Sequence, residues 1–233
     1  MSVIPAAPLA PPRGVDLWLV PLQQSPARIA ELIAGCSEAE HARAARMPVD
    51  ARRREFLIAR GVVRTILAAY MDIDALVLPL RTGAHGKPFI DASGAPAFSV
   101  SHSAGLVVVA VTASFAVGVD LERVDRRLDV EAVAARFLPD CESALLSALA
   151  PGARHAAFFR LWTRHEALLK ARGCGFATGV GDAFAPIPSG AGAQAEGAHT
   201  LTELEVGPGY VGALAYHASP TTLDTPDRAL VRL

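Results

Sequence analysis

An α/β (α+β) fold of two similar halves is what this sequence predicts, on three observations. A strand, a group of helices and further strands follow one another up to about residue 112, and the same succession starts again from about residue 115, so the halves are set at 1–112 and 113–233. Element order carries this inference; residue identity between the halves does not. Apolar residues make up 52% of the 233, enough to give both halves a core. The most apolar uncharged run, Ala104 to Val119, is β-branched, broken by Gly, Ser and Thr, and short for a membrane span, so it reads as buried strands.

Val15 to Val20 reads as the first strand, closed by Pro21. Pro26 marks a helix start, and Ser37 with Glu40 forms a capping-box pattern opening a helix through Arg46, which Pro48 ends. From Asp50, taken as an N-cap, Phe56, Ala59, Val63, Ile66 and Tyr70 recur at spacings of three and four, which predicts an amphipathic helix to about Tyr70. Thr82 to Phe89 is a glycine-marked turn in which Pro88 biases Lys87 towards an extended backbone. Ala97–Ser101 and Leu106–Thr112 read as strands joined by a turn at His102–Gly105. Helices follow from Asp129 to Phe137 and from about Cys141 to Leu149, Pro151-Gly152 breaks the pattern, and a further helix runs from Phe158 to Arg172, ended by Gly173. Phe176 to Thr200 is a Gly- and Ala-rich loop; Leu201–Val206, Tyr210–His217 and Ala229–Leu233 read as strands.

A formal charge of −1 argues against a nucleic-acid partner, although His41 to Arg64 holds seven Arg against Asp50 and Glu55. Arg43, Arg46 and Arg52 to Arg54 would gather near a helix N-terminus, where dipole and free N–H groups also favour an anion; a solvated basic face explains them equally well. Met1 to Pro12 lacks the basic and long apolar regions of a signal peptide. Cys36, Cys141 and Cys174 are odd in number and widely spaced, which fits reduced thiols in a cytoplasm and offers no zinc motif. Of 22 basic residues only Lys87 and Lys170 are lysines, compact point charges in a chain that otherwise uses the planar fork of Arg.

Two stretches carry candidate chemistry. In Gly118-Val-Asp-Leu-Glu122 the period of two sends Asp120 and Glu122 out of one strand face, about 7 Å apart, where they repel by roughly 2 kcal/mol at an effective dielectric of ~20. A hard divalent cation would remove that cost, and a strand end turning polar is the plainer alternative. In Phe158–Arg172 one stripe holds Phe158, Leu161, Trp162, His165, Leu168 and Leu169, while Glu166 and Lys170 stand i, i+4 on another, a spacing that an exposed ion pair worth ~0.3–0.5 kcal/mol would also explain. Ser101, His102 and Ser103, beside a glycine, suit a phosphate cradle. A Ser-His nucleophile is disfavoured, because adjacent strand residues point apart and no acid stands ready to orient the His.

Gly118-Val-Asp-Leu-Glu122 followed by Trp162-Thr-Arg-His-Glu-Ala-Leu-Leu-Lys170, with Gly86-Lys-Pro88, Ser99-Val-Ser-His-Ser103 and the Arg-rich stretch 43–64 in matching order, resembles the paired signature of the 4′-phosphopantetheinyl transferases of the two-half, surfactin-synthetase-activating type. The resemblance covers roughly residues 40 to 180. It implies two halves in pseudo-twofold arrangement with the active site at their interface. Asp120, Glu122 and Glu166 are implied as Mg²⁺ ligands. Arg43, Arg46, Arg53, Lys87, Ser101 and His102 are implied as coenzyme A contacts, and Lys170 as the pyrophosphate clamp. Glu166 is similar to a residue proposed as the base for the incoming serine. The implied reaction transfers phosphopantetheine from coenzyme A to a serine of an apo carrier protein or carrier domain of a polyketide, peptide or fatty-acid synthase, releasing 3′,5′-ADP. No nucleic acid, membrane or partner subunit is implied. His165 stands where many members have Lys, so there it would carry charge only when protonated. A coenzyme-A-binding regulator without efficient transfer and a Mg²⁺-dependent phosphohydrolase are the other readings the residues permit.

Overall fold

Two runs of the same kind of element make up the computed structural model, which describes residues 14–113, 115–125, 127–174, 194–196 and 199–217. The first run is β1 (Val15–Pro21), α1 (Pro26–Ala34), α2 (Glu38–Ala45), α3 (Asp50–Met71), a 3-10 turn (Ala75–Val77), the hairpin β2 (Leu80–Thr82) and β3 (Pro88–Ile90), then β4 (Ala97–Ser103) and β5 (Leu106–Thr112). The second is β6 (Val117–Arg123), α4 (Val130–Phe137), α5 (Asp140–Ala148), α6 (Pro151–Arg172), β7 (Gln194–Glu196), β8 (His199–Leu204) and β9 (Tyr210–His217).

The main sheets are ordered β1-β5-β4 and β6-β9-β8-β7, with every neighbour antiparallel. In each, the first strand of the run pairs with the last, and the last with the one before it. Each is backed by a 22-residue helix, α3 or α6. The α+β fold of two similar halves is therefore the one the chain forms.

The apolar run in β5 has a structural reason. Val107, Val109 and Val111 face α3 through Ile58, Val62, Val63, Ile66 and Leu67, while Val108 and Ala110 face Val117, Val119, Leu121 and Leu214 of the second sheet. Both faces of this antiparallel strand are covered, so neither can be polar. Each fully buried aliphatic side chain stabilises the stack helix–sheet–sheet–helix by roughly 1.5–3 kcal/mol.

Local signals decide the helix ends. Ser37 Oγ accepts from the Glu40 N–H and Glu40 accepts from the Ser37 N–H, the capping box expected for α2. Asp50 is not the N-cap of α3; Val49 holds that position without a side-chain cap, and Asp50 is the acid of the first turn. Pro151-Gly152 does not interrupt the second half but opens α6, Pro occupying the first turn, where its missing N–H has no partner to lose. The β4–β5 connection is also shorter than expected. Pairing continues to Ser103↔Leu106, so the turn is Ala104-Gly105 with φ of 45° and 88°, a tight hairpin of the type whose twist matches the strands, and His102 lies on β4. The Met1–Pro12 start, most of the Phe176–Thr200 loop and the expected strand Ala229–Leu233 lie outside the described residues.

Candidate active site

Where the two sheets meet, β4 and β6 run side by side in the same direction without sharing a backbone ladder. Serine side chains replace it. The Val119 N–H donates to Ser99 Oγ at 3.0 Å, Ser101 Oγ donates to Asp120 Oδ1 at 2.7 Å, and Ser103 Oγ donates to Glu122 Oε2 at 2.8 Å while accepting from the Arg123 N–H at 3.1 Å. Ser101 and Ser103 belong to the cradle expected from the sequence, and Ser99 is the motif's first residue, for which no role is expected there. Their signal in the sequence is the alternation Ser-x-Ser-x-Ser on a strand, which sets three hydroxyls on one face.

Asp120 is the hub, with its side chain 5% exposed. Its Oδ1 also accepts from Lys170 Nζ at 2.7 Å, and Lys170 Nζ donates in addition to the Val119 carbonyl at 3.1 Å. The plain reading of Glu166 and Lys170 as a helix-surface ion pair does not hold: Lys170 leaves its own helix for β6. Oδ2 of Asp120 is buried with no hydrogen-bond partner, a deficit costing about 1–3 kcal/mol. Glu166 and Glu122 share this corner. Burial first, then the charge of Asp120, pushes the Glu166 carboxyl up to about 7, with Glu122 adding to the rise and Lys170 opposing it. Burial also raises Glu122, against the Ser103 hydrogen bond that lowers it and with the charge of Asp120 adding to the rise. Among the described residues no three His, Cys, Asp or Glu side chains are gathered in metal-holding positions as they stand, since Asp120 is turned to Ser101 and Lys170 and Glu122 to Ser103. An unpartnered oxygen on a buried carboxylate and two neighbouring acids of raised pKa nevertheless form a donor set that fits a hard, oxygen-preferring cation.

A pH dependence follows from Glu166. Its carboxyl is raised in the fold, so between about 4.5 and about 7 the folded chain holds a proton that the unfolded chain has released. Stability without cation therefore falls as pH rises through that window and levels off above it, by at most about 3 kcal/mol. Thermal melts from pH 5 to 8 check this: a decline is expected in the native chain and a shallower one in Glu166→Gln, where the raised Glu122 carboxyl still contributes, with a slope unchanged by the substitution counting against the assignment.

The other expected contacts are placed differently from one another. Lys87 Nζ donates to the carbonyls of Val117 at 2.9 Å and Lys170 at 2.6 Å; burial, then the charge of Lys170, lowers its pKa. His102 is exposed on the β4 face opposite Ser101, so the cradle of three neighbouring side chains is split between two faces. Arg43 and Arg46 are exposed at the end of α2, the Arg43 guanidinium lying 5.3 Å over the Phe56 ring that Arg60 also covers at 5.4 Å. Arg53 donates to the Met47 carbonyl at 3.0 Å and pairs with Asp50 at 3.1 Å. Arg64, from the same basic stretch, is structural: it is 3% exposed and donates to Glu40 at 2.6 Å and to the Ala75 and Leu78 carbonyls. His165 does not face the acids. It is 1% exposed, with Nε2 2.7 Å from Glu142 Oε2, joining α6 to α5 inside the second half. Its place on the apolar stripe was legible; Glu142 as its partner was not.

Two cavities, about 150 and 570 Å³, lie at Leu128–Glu131 with Pro151–His155 and at the β8–β9 turn; none of Asp120, Glu122, Glu166 or Lys170 lines either.

Comparison with known proteins bears on the same regions. Residues 39–112 match the 4′-phosphopantetheinyl transferase N-terminal domain and residues 116–212 the 4′-phosphopantetheinyl transferase superfamily. The chain is 36% identical over 166 residues to the 4′-phosphopantetheinyl transferase HetI of Nostoc, covering 70% of each. It is 30% identical over 129 residues to AcpT of Salmonella typhimurium, covering 55% of this chain and 64% of that one. Identity to a 4′-phosphopantetheinyl transferase of Bacillus subtilis is 31% over 126 residues, 54% of each.

Proposed function

Because the chain belongs to the 4′-phosphopantetheinyl transferase superfamily, we propose that it transfers the phosphopantetheine arm of coenzyme A to a serine of an apo acyl or peptidyl carrier protein, with Mg²⁺ required and 3′,5′-ADP released. The observation that carries the reading is Asp120, a buried carboxylate with one oxygen shared between Ser101 and Lys170 and the other unpartnered. Asp120, Glu122 and Glu166 would hold the Mg²⁺, which neutralises charge on the pyrophosphate of coenzyme A.

The chain's own groups do the rest. The carrier serine Oγ forms the new bond to the phosphorus bearing the pantetheine arm, and the bond from that phosphorus to the oxygen of 3′,5′-ADP breaks. Ionised Glu166 takes the serine proton and returns it to solvent. Lys170, one helical turn from Glu166, offers its ammonium to the charge that develops on the leaving phosphate. The proposed carriers are carrier proteins or domains of polyketide, non-ribosomal peptide or fatty-acid synthases. A single chain supplies Ser101 and Ser103 from one half and Asp120, Glu122, Glu166 and Lys170 from the other, which supports a monomeric enzyme. Three free thiols, Cys36 buried and Cys141 and Cys174 exposed, support a reducing cytoplasm. No helix among the described residues is long and apolar enough to cross a membrane.

Incubation with several apo carriers, coenzyme A and Mg²⁺, followed by intact mass, tests the reading. A phosphopantetheine adduct on a carrier is expected. No adduct on any carrier overturns the transferase, and coenzyme A binding without transfer favours a regulator of the same fold.

A further inference from the structure

The edge of β6 that faces β4 exposes the main-chain groups of alternate residues. The Val119 N–H goes to Ser99, and two of the carbonyls on that edge, Val117 and Val119, are taken by the chain's only two lysines: Lys87 donates to Val117 and Lys170 to Val119. Lys87 comes from the turn between β2 and β3 in the first half, yet its ammonium also holds the Lys170 carbonyl, which the Gly173 N–H shares at the end of α6. A helix C-terminus carries partial negative charge, so a cation is favoured there. One compact ammonium, with three donors spread around a point, can join carbonyls from a strand and a helix where a planar guanidinium suits a flat acceptor pair. That is a physical reason for lysine in an Arg-rich chain.

We propose that Lys87 is a positioning residue of the site: by tying the start of β6 to the main chain of Lys170 across the two halves, it sets where the Lys170 ammonium meets Asp120, and it does not act as a contact to the phosphates of coenzyme A. The inference rests on the transferase reading for its kinetic arm only. If Lys87 bound the 3′-phosphate, its loss would weaken coenzyme A; if it positions Lys170, its loss misplaces a group that acts in the transition state.

The test compares the native chain with Lys87→Met, using coenzyme A and 3′-dephospho-coenzyme A as substrates, alongside amide hydrogen exchange of the free proteins. The expected result is a kcat lower by about tenfold to a hundredfold, the loss typical of an ångström-scale misplacement. KM for coenzyme A should change by less than about threefold, and preference over the dephospho form should not change. Amides of Val119, Asp120 and the last turn of α6 should exchange faster. A KM raised about tenfold or more with kcat kept overturns the proposal in favour of a phosphate contact. A lower Tm with both constants unchanged overturns it in favour of a purely structural role. If Lys87→Met does not fold, Lys87→Arg, which keeps a cation in the wrong geometry, is read by the same comparison. Should the native chain transfer to no carrier, the proposed function falls by itself, and exchange still decides: faster exchange at those amides supports the clasp, and unchanged exchange overturns it.

Discussion

Asp120→Ala is expected to abolish Mg²⁺-supported turnover while leaving the fold in place. Three things are lost together: the buried oxygen that has no protein partner, the anchor of the Lys170 ammonium, and the acceptor of the Ser101 hydroxyl. By analogy with deleting an oxyanion donor, the barrier rises by about 3–4 kcal/mol, roughly two to three orders of magnitude in rate. The fold tolerates the change because the losses are partly offset. Lys170 keeps the Val119 carbonyl and is a quarter exposed, so water can take up its charge. Glu166 also loses the charge of Asp120, the largest contribution from another side chain to its raised pKa, and moves back towards the ordinary carboxylate range. Asp120→Asn separates charge from shape, since its carbonyl can still accept from Ser101 and Lys170; an equal loss of turnover is expected if charge is what matters. Initial rates over a Mg²⁺ titration, with circular dichroism to confirm folding, check both. Normal turnover in either variant refutes the cation assignment.

Much of this was legible in the sequence because it is local. The capping box of α2, the Gly173 stop of α6, and the alternation that puts Asp120 and Glu122 on one face of β6 each depend on residues within a turn or two of one another. Element order also sufficed to find the halves, since each repeats a first–last–penultimate strand order. The misses are contacts made across distance. Lys170 has Glu166 four residues away but meets Asp120, 50 residues away, and Lys87 meets Lys170 across 83. His165 pairs with Glu142 because helix rotation turns it towards α5 rather than towards the acids beside Glu166. Pro151-Gly152 misled because the same dipeptide can end one helix or open the next, and only packing decides. Sequence patterns brought forward Asp120, Glu122, Glu166 and Lys170 as candidates; which oxygen each nitrogen holds is decided by contacts between elements far apart in the chain.

The distance between β6 and α6 is set by the first residue of the motif, whose substitution carries the largest expected effect on stability. Gly118 has an ordinary backbone, so its role is space rather than conformational freedom. A Cβ there would lie 1.9 Å from the Ala167 carbonyl oxygen and 2.4 Å from the Ala171 nitrogen, main-chain atoms that no rotamer change can move. The backbones of β6 and α6 touch at this point. The helix positions just before these contacts are Glu166 and Lys170, and the strand position two residues on is Asp120, so the close approach is what brings one residue pair over the other. Gly118→Ala must push α6 outward by more than an ångström or not fold, with a cost of about 3 kcal/mol or more, the upper range for overpacking. Gly61 makes an equally tight approach in the first half, 2.2 Å from the Leu32 carbonyl oxygen, but lies where α1 crosses α3 and carries none of the site's acids. The pair separates stability from function. Denaturant unfolding should show large losses for both Gly118→Ala and Gly61→Ala. At a temperature where each variant stays folded, only Gly118→Ala should also lower kcat, because only there does the displaced helix carry Glu166 and Lys170 away from Asp120. A folded Gly118→Ala with native kcat would show that the spacing between β6 and α6 does not govern the chemistry.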